Sequence, residues 1–145
     1  MNIIQKVKEL NFPQGKYVVI GSGILDVLSM RTAHDIDISV LPELYKQLLT
    51  SKTWEEEDRY GKIFLKKDNI EINPKLSWSG YSTSTQEAIK SATIVDGVPF
   101  MNLRELRKFK KALGREKDFA DIAIIEAYLK STSIDEVNQI VYSRF

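Results

Sequence analysis

Tyr17-Val18-Val19-Ile20-Gly21-Ser22-Gly23, joined through a spacer to Asp35-Ile36-Asp37-Ile38-Ser39-Val40, is the stretch on which the fold of this chain turns. The first four residues are apolar and mostly β-branched, which predicts a short buried strand. Gly21-Ser22-Gly23 then turns the chain. Ile24, Leu25, Val27, Leu28 and Met30 predict a helix packed back on that strand, and Asp35 to Val40 predicts a second strand. Alternate residues of a strand share a face. Asp35 and Asp37 therefore present carboxylates side by side, while Ile36 and Ile38 turn into the core. Two carboxylates so close repel each other unless a cation sits between them. Magnesium, which takes carboxylate oxygens together with phosphate oxygens, suits that place. Gly21 lets the backbone approach a phosphate without a side-chain clash. Ser22 offers a hydroxyl and an N–H, and the following helix aims its positive end at the same anion. A Gly-Ser-Gly turn alone, or an Asp-x-Asp alone, is common for structural reasons. Strand, Gly-Ser turn, helix and Asp-Ile-Asp strand in that order are far more specific.

Composition bounds the rest. The 145 residues are 43% hydrophobic and 28% charged, as in an ordinary globular protein with enough chain for one sizeable core. The net charge of +1 gives no global electrostatic case for nucleic-acid binding. The absence of cysteine excludes disulfides and thiolate metal sites and is compatible with a reducing cytoplasm. The only histidine is His34, which argues against a zinc site of the usual nitrogen-sulfur type. Met1 to Leu10 lacks the uninterrupted apolar core of a signal peptide. No apolar run approaches the roughly 20 residues that span a bilayer.

Outward from the opening stretch, Ile3, Ile4, Val7 and Leu10 have helical spacing, broken by Phe12-Pro13-Gln14-Gly15. Pro42 starts a helix to about Leu49. Trp54 to Asp58, Lys62 to Lys66 and Asn69 to Asn73 predict three short strands. Pro74 to Thr85 reads as a polar loop or lid. Asp96-Gly97 between two apolar runs predicts a hairpin. Leu103, Leu106, Phe109 and Leu113 form a helical stripe stopped by Gly114. Phe119, Ile122, Ala123, Ile125 and Leu129 form another, and Ser133 with Glu136 predicts a capping box for a last helix through Val141. The fold class is thus α/β, a mixed sheet with flanking helices and a helical tail. We read one domain over 1–145, its core to about 101 and its helical part from about 102 to 145.

Ile20-Gly21-Ser22 with Asp35-Ile36-Asp37-Ile38 resembles, position by position, the motif of the nucleotidyltransferase superfamily of DNA polymerase beta-like fold. The similarity is to its small bacterial and phage members, related to antibiotic and toxin–antitoxin nucleotidyltransferases. That resemblance implies a third carboxylate on a later strand. Ile70-Glu71-Ile72 fits it, with Asp68 and Asp58 as competitors. It implies magnesium held by Asp35, Asp37 and Glu71, and transfer of a nucleoside monophosphate from a triphosphate to an acceptor hydroxyl with loss of pyrophosphate. Glu71 either completes the metal site or acts as general base. Gly21, Ser22 and Lys110 bind the nucleotide, with Arg115 or Lys117 nearby. The acceptor is a small molecule, an RNA end or a protein, and a homodimer or partner protein remains open. The alternative is a non-catalytic nucleotide- or partner-binding member of the same fold. Asp118 and Asp121 read as partners of neighbouring cations, Arg31 as a solvated loop residue or a phosphate contact, and His34 as a structural or surface residue. Trp78 and Tyr81 either stack on a base or cover a core edge.

Overall fold

The computed structural model describes residues 2–76 and 80–143, and side chains on the last helix only as far as residue 131. Seven strands form one mixed sheet: β1 Tyr17–Ile20, β2 Ile36–Val40, β3 Glu55–Arg59, β4 Lys62–Lys67, β5 Ile70–Asn73, β6 Thr93–Val95 and β7 Val98–Phe100. Their spatial order is β3-β4-β5-β2-β1-β7-β6. The helices are α1 Ile3–Glu9, α2 Gly23–Val27, α3 Pro42–Ser51, α4 Thr85–Lys90, α5 Leu103–Leu113 and α6 Glu116–Ser143.

The centre of the sheet is the apolar part of the sequence. Every residue of β1 and β7 is buried, and so is all of β2 except Asp37. β2 runs antiparallel to β1 and parallel to β5, while β1 and β7 are parallel. The edges are defended differently. β3 carries Glu55, Glu56, Glu57 and Asp58, whose charge discourages another strand from pairing there, and β6 is only three residues long. Ile3, Val7, Ile24, Leu25, Leu106 and Ile125 join helices to the same core as Val19, Ile38, Ile72 and Phe100.

Local chemistry sets the boundaries. Asn2 caps α1 by accepting from the Gln5 N–H at 3.0 Å, and Asn102 caps α5 by accepting from the Glu105 N–H at 2.8 Å. Gly114 ends α5 in the left-handed conformation, φ 62°. Asp96 and Gly97, φ 53° and 82°, make the β6–β7 turn that the sequence predicts.

Three expectations change. α2 is only five residues long, because the chain leaves the helix at Leu28 and passes through Ser29 at φ 60°. A helix so short contributes little dipole to the turn before it. α4 is an added helix that begins at the last residue of the loop and fills the stretch after it, to which the sequence pattern assigns no element; Ser84 caps it, its hydroxyl accepting from the Glu87 N–H. The backbone continues unbroken from Glu116 to Ser143, so no new helix starts at Ser133. Among the described residues, no helix is long and apolar enough to cross a membrane.

Candidate functional site

Strand register assembles the site. Ile20 lies opposite Asp37, and Asp37 lies opposite Glu71. Neighbouring strands are about 4.8 Å apart, so the Gly21-Ser22 turn, Asp37 and Glu71 follow one another in a row across three strands. Asp35 precedes β2 rather than lying within it and is exposed, one turn of the pleat before Asp37. Gly21 adopts φ 66°, and a Cβ there would stand 2.9 Å from the Asp37 Oδ2. The turn and the carboxylate thus pack so tightly that only glycine fits. Gly23 serves packing instead, since its Cβ would stand 2.8 Å from Val19 Cγ1.

Above this row lies a cleft in two lobes, both bordered by Ile20, Asp35, Asp37, Phe109 and Arg115. The inner lobe, about 540 Å³, adds Ser22, Arg31, His34, Lys110 and Asp121. The outer lobe, about 470 Å³, adds Arg59, Phe64, Glu71 and Lys75.

The inner lobe is walled by an ionic network built on the buried Lys110, Asp118 and Asp121. Arg31 donates from Nε to Asp121 Oδ1 at 2.6 Å and from Nη2 to Oδ2 at 2.8 Å. It also donates from Nη2 to the Ser22 Oγ at 2.7 Å. Lys110, buried on α5, sets its Nζ 2.8 Å from Asp121 Oδ2, 3.6 Å from Asp118 Oδ1 and 3.2 Å from Ser22 Oγ. Arg115 closes the chain, its Nε 2.8 Å from Asp118 Oδ2. Burial pushes the Asp121 carboxyl up, but hydrogen bonds and charge from Arg31 and Lys110 outweigh it and hold it at about 2. Burial likewise opposes ionisation of Asp118, and the side chain and N–H of Arg115 more than offset it, leaving its pKa lowered. Three cations face two carboxylates, so the network keeps an excess of positive charge beside the Gly21-Ser22 turn. The opposite holds at Asp37. Burial, then Glu71 and Asp35, raise its pKa to about 6, despite Lys110 and Arg59. Asp37 is a carboxylate short of compensating cation, the condition that favours a metal ion.

Glu71 is differently placed. Its Oε1 accepts from Arg59 Nη2 at 2.7 Å, and Arg59 also meets Glu57 at 3.1 Å. Among the described residues, no three His, Cys, Asp or Glu side chains are grouped closely enough to hold a metal ion. Asp35 and Asp37 nonetheless offer the hard oxygen donors that magnesium takes, and one or two carboxylates plus substrate phosphates are its usual set.

The structure thus brings Gly21, Ser22, Asp35, Asp37, Lys110 and Arg115 around one lobe, with Glu71 next to it. Asp58 accepts from the Gly61 N–H and Asp68 is exposed in a turn, so neither approaches Asp37 as Glu71 does. His34 is exposed at the rim. Tyr81 is buried, donates its hydroxyl to Glu105 and packs on Phe109, covering the core edge. Trp78 lies outside the described residues. Arg31 is no loose loop residue: Asp121 and Ser22 hold it, part-exposed, in the wall of the inner lobe. Asp118 and Asp121 take the inward face of α6 with Ile125, while Phe119, expected there, is exposed. The missed signal was in the sequence: 118, 121 and 125 have the spacing of one helical face. Arg59 was not anticipated. No family model matches this chain, and no curated protein or solved structure matches it significantly.

Proposed function

We propose that this chain is a magnesium-dependent nucleotidyltransferase, of the DNA polymerase beta-like fold, that moves a nucleoside monophosphate from a triphosphate to an acceptor hydroxyl. The observation that carries the reading is the row in register of Gly21-Ser22, Asp37 and Glu71, with Asp37 raised to about 6 by burial and its two acidic neighbours. A carboxylate held so against its own preference is stabilised when a divalent cation arrives.

Asp35 and Asp37 would hold magnesium, which when bound neutralises triphosphate charge and polarises the α-phosphate. Ser22, Arg31 and Lys110 form the positive wall of the inner lobe, where the β- and γ-phosphates belong. Arg31 and Lys110 meet at the Ser22 hydroxyl, so an anion there faces a cluster fixed by Asp121 rather than loose side chains. The acceptor oxygen attacks the α-phosphorus, and the bond from that phosphorus to the bridging oxygen breaks. Pyrophosphate leaves, and the hydroxyl proton passes to a base; Glu71, once Arg59 releases it, either takes that proton or completes the metal site. Positioning and charge neutralisation do most of such catalysis.

A second reading, a nucleotide- or partner-binding member without catalysis, draws on one observation: Glu71 is engaged by Arg59. The two separate by experiment. Thermal unfolding with magnesium and each of the four triphosphates should show a rise in melting temperature with at least one. Asp35→Asn/Asp37→Asn should abolish it. No rise with any nucleotide overturns the transferase and the nucleotide-binding reading and leaves only a partner-binding member. Labelled-triphosphate transfer into cell extract then decides between them, since binding without transfer leaves the non-catalytic member.

A further inference from the structure

The outer lobe differs from the inner one in what its charges are for. Arg59, Lys62, Lys75, Arg115 and Lys117 border it, and among the described residues the only acids on its wall are Asp35, Asp37 and Glu71. Those acids are the set that the family resemblance gives to magnesium. With the metal in place, the lobe is left lined by cations and by the rings of Phe64 and Phe109. Its volume suits a nucleotide-sized or sugar-sized group.

Arg59 is the residue that joins this lobe to the metal site. Its guanidinium lies 4.4 Å from the centre of the Phe64 ring, which fixes its plane. Its Nη2 holds Glu71 Oε1 at 2.7 Å. Among the described residues its Nε is buried and has no hydrogen-bond partner. A buried donor without a partner costs free energy; swung off Glu71 and out of that position, the planar Nε–Nη2 fork matches a phosphate, which accepts two parallel N–H bonds. Glu71 neighbours Asp37 in register, yet its oxygen is spent on Arg59, so no three-carboxylate group forms among the described residues.

We propose that the outer lobe is the acceptor subsite, that the acceptor carries a phosphate near its reacting hydroxyl, and that this phosphate takes Arg59 from Glu71, releasing Glu71 to Asp35 and Asp37. The inference rests on the nucleotidyl-transfer reading and adds the chemical class of the acceptor and an order of assembly. Acceptor binding completes the metal site, so a triphosphate bound alone meets an incomplete set of acids and is protected from hydrolysis. The coupling is reciprocal: whatever frees Glu71 tightens metal binding, and metal tightens the phosphate.

The experiment reads Mn²⁺ binding by electron paramagnetic resonance of the free ion, with the intact chain. Asp37→Asn is the blank for metal bound elsewhere or carried by the sugar phosphate. Arg59→Gln should bind Mn²⁺ about fivefold or more tightly than wild type, the scale of a typical coupling between sites. Because that variant can also disturb the β3–β4 hairpin, a second measurement uses the wild-type chain. Saturating ribose 5-phosphate should tighten Mn²⁺ binding by a similar factor, and ribose should not. A short RNA oligonucleotide is the parallel arm. An effect from ribose 5-phosphate assigns the phosphate to small-molecule acceptors, and an effect from the oligonucleotide alone assigns it to a nucleic-acid end. If wild type binds Mn²⁺ and Asp37→Asn does not, but neither phosphate probe changes affinity, the proposal is overturned and the metal site stands. Unchanged or weakened affinity in a folded Arg59→Gln overturns it too. No Mn²⁺ binding by wild type, with or without triphosphate, overturns the metal site itself and this inference with it.

Discussion

The two lobes of the cleft hold their arginines in contrasting ways. On the inner side, Arg31 reaches Asp121, 90 positions along the chain, and Lys110 joins them at Ser22. Asp118 and Asp121 are buried with Lys110. On the outer side, Arg59 pairs with Glu57 two residues away and with Glu71 across the sheet; the two arginines are about equally exposed, but Glu57 and Glu71 are 44% and 18% exposed where Asp121 is 6%. Ion pairs whose acids are buried are costly to separate, whereas pairs whose acids reach solvent exchange partners with less loss. The inner lobe is therefore a fixed wall that also ties α6 to the β1–α2 turn. The outer lobe is a movable contact. A site that must grip one ligand and admit another has use for both.

The comparison breaks most visibly at Asp121. Asp121→Asn keeps the volume but leaves the buried Lys110 and the part-exposed Arg31 around a neutral amide. We expect a loss of about 3 kcal/mol or more in unfolding free energy, measured in denaturant, from stranding buried charge. A loss below about 1 kcal/mol would mean that Asp118 alone satisfies the cations and that the inner wall is as exchangeable as the outer.

Asp37 gives the next effect, of opposite sign. Its carboxyl titrates at about 6 in the folded chain, above the ordinary 3.8, so the folded state holds that proton more tightly than the unfolded state. Stability therefore falls as pH rises from about 4 to about 6, and the deficit is full above that range. The shift corresponds to roughly 3 kcal/mol at most. Asp121 behaves oppositely. Its pKa, lowered to about 2, contributes stability present above 3.8 and lost only as pH falls toward 2. Asp37→Asn should raise stability at pH 7 by about 2 kcal/mol without metal and flatten the profile between pH 4 and 6. A variant less stable than wild type at pH 7, with the slope retained, would place the strain elsewhere.

How much of this was readable beforehand depends on range. β1 needed only its apolar run, the β6–β7 hairpin only Asp96-Gly97, and the end of α5 only Gly114, because each is decided by neighbours within a few residues. Gly21, Ser22, Asp35 and Asp37 were readable for the same reason. α4 was readable too, from Ser84-x-x-Glu87, a capping box passed over because the segment before it is polar and aperiodic. What could not be read was the pairing of β2 with β5 and of β1 with β7, since parallel neighbours are set by the whole core. The inward face of α6 was misjudged on physical grounds. Counting apolar residues puts Phe119 inside, but two carboxylates with waiting cations take the inward positions, and Phe119 remains 61% exposed. The contact between Arg31 and Asp121 has no local signature at all. Neither has that between Arg59 and Glu71, on which the outer lobe depends.

Glu71→Gln is the mildest change and the sharpest test of exchangeability. It removes the 2.7 Å charged contact with Arg59, which keeps Glu57 as its second partner. It also removes one of the two acids that raise the pKa of Asp37. The first change costs about 1 kcal/mol, as expected for a charged hydrogen bond at a half-exposed site. The second returns part of the energy stored at Asp37, so the two offset. We expect unfolding free energy at pH 7 within about 1 kcal/mol of wild type, and a shallower fall in stability between pH 4 and 6 as Asp37 titrates nearer its ordinary range. If Glu71→Gln instead destabilised the chain as much as Asp121→Asn, Arg59 would be as firmly built in as Arg31. An arginine fixed in that way could not hand Glu71 to a metal, and the difference between the lobes would be one of position only.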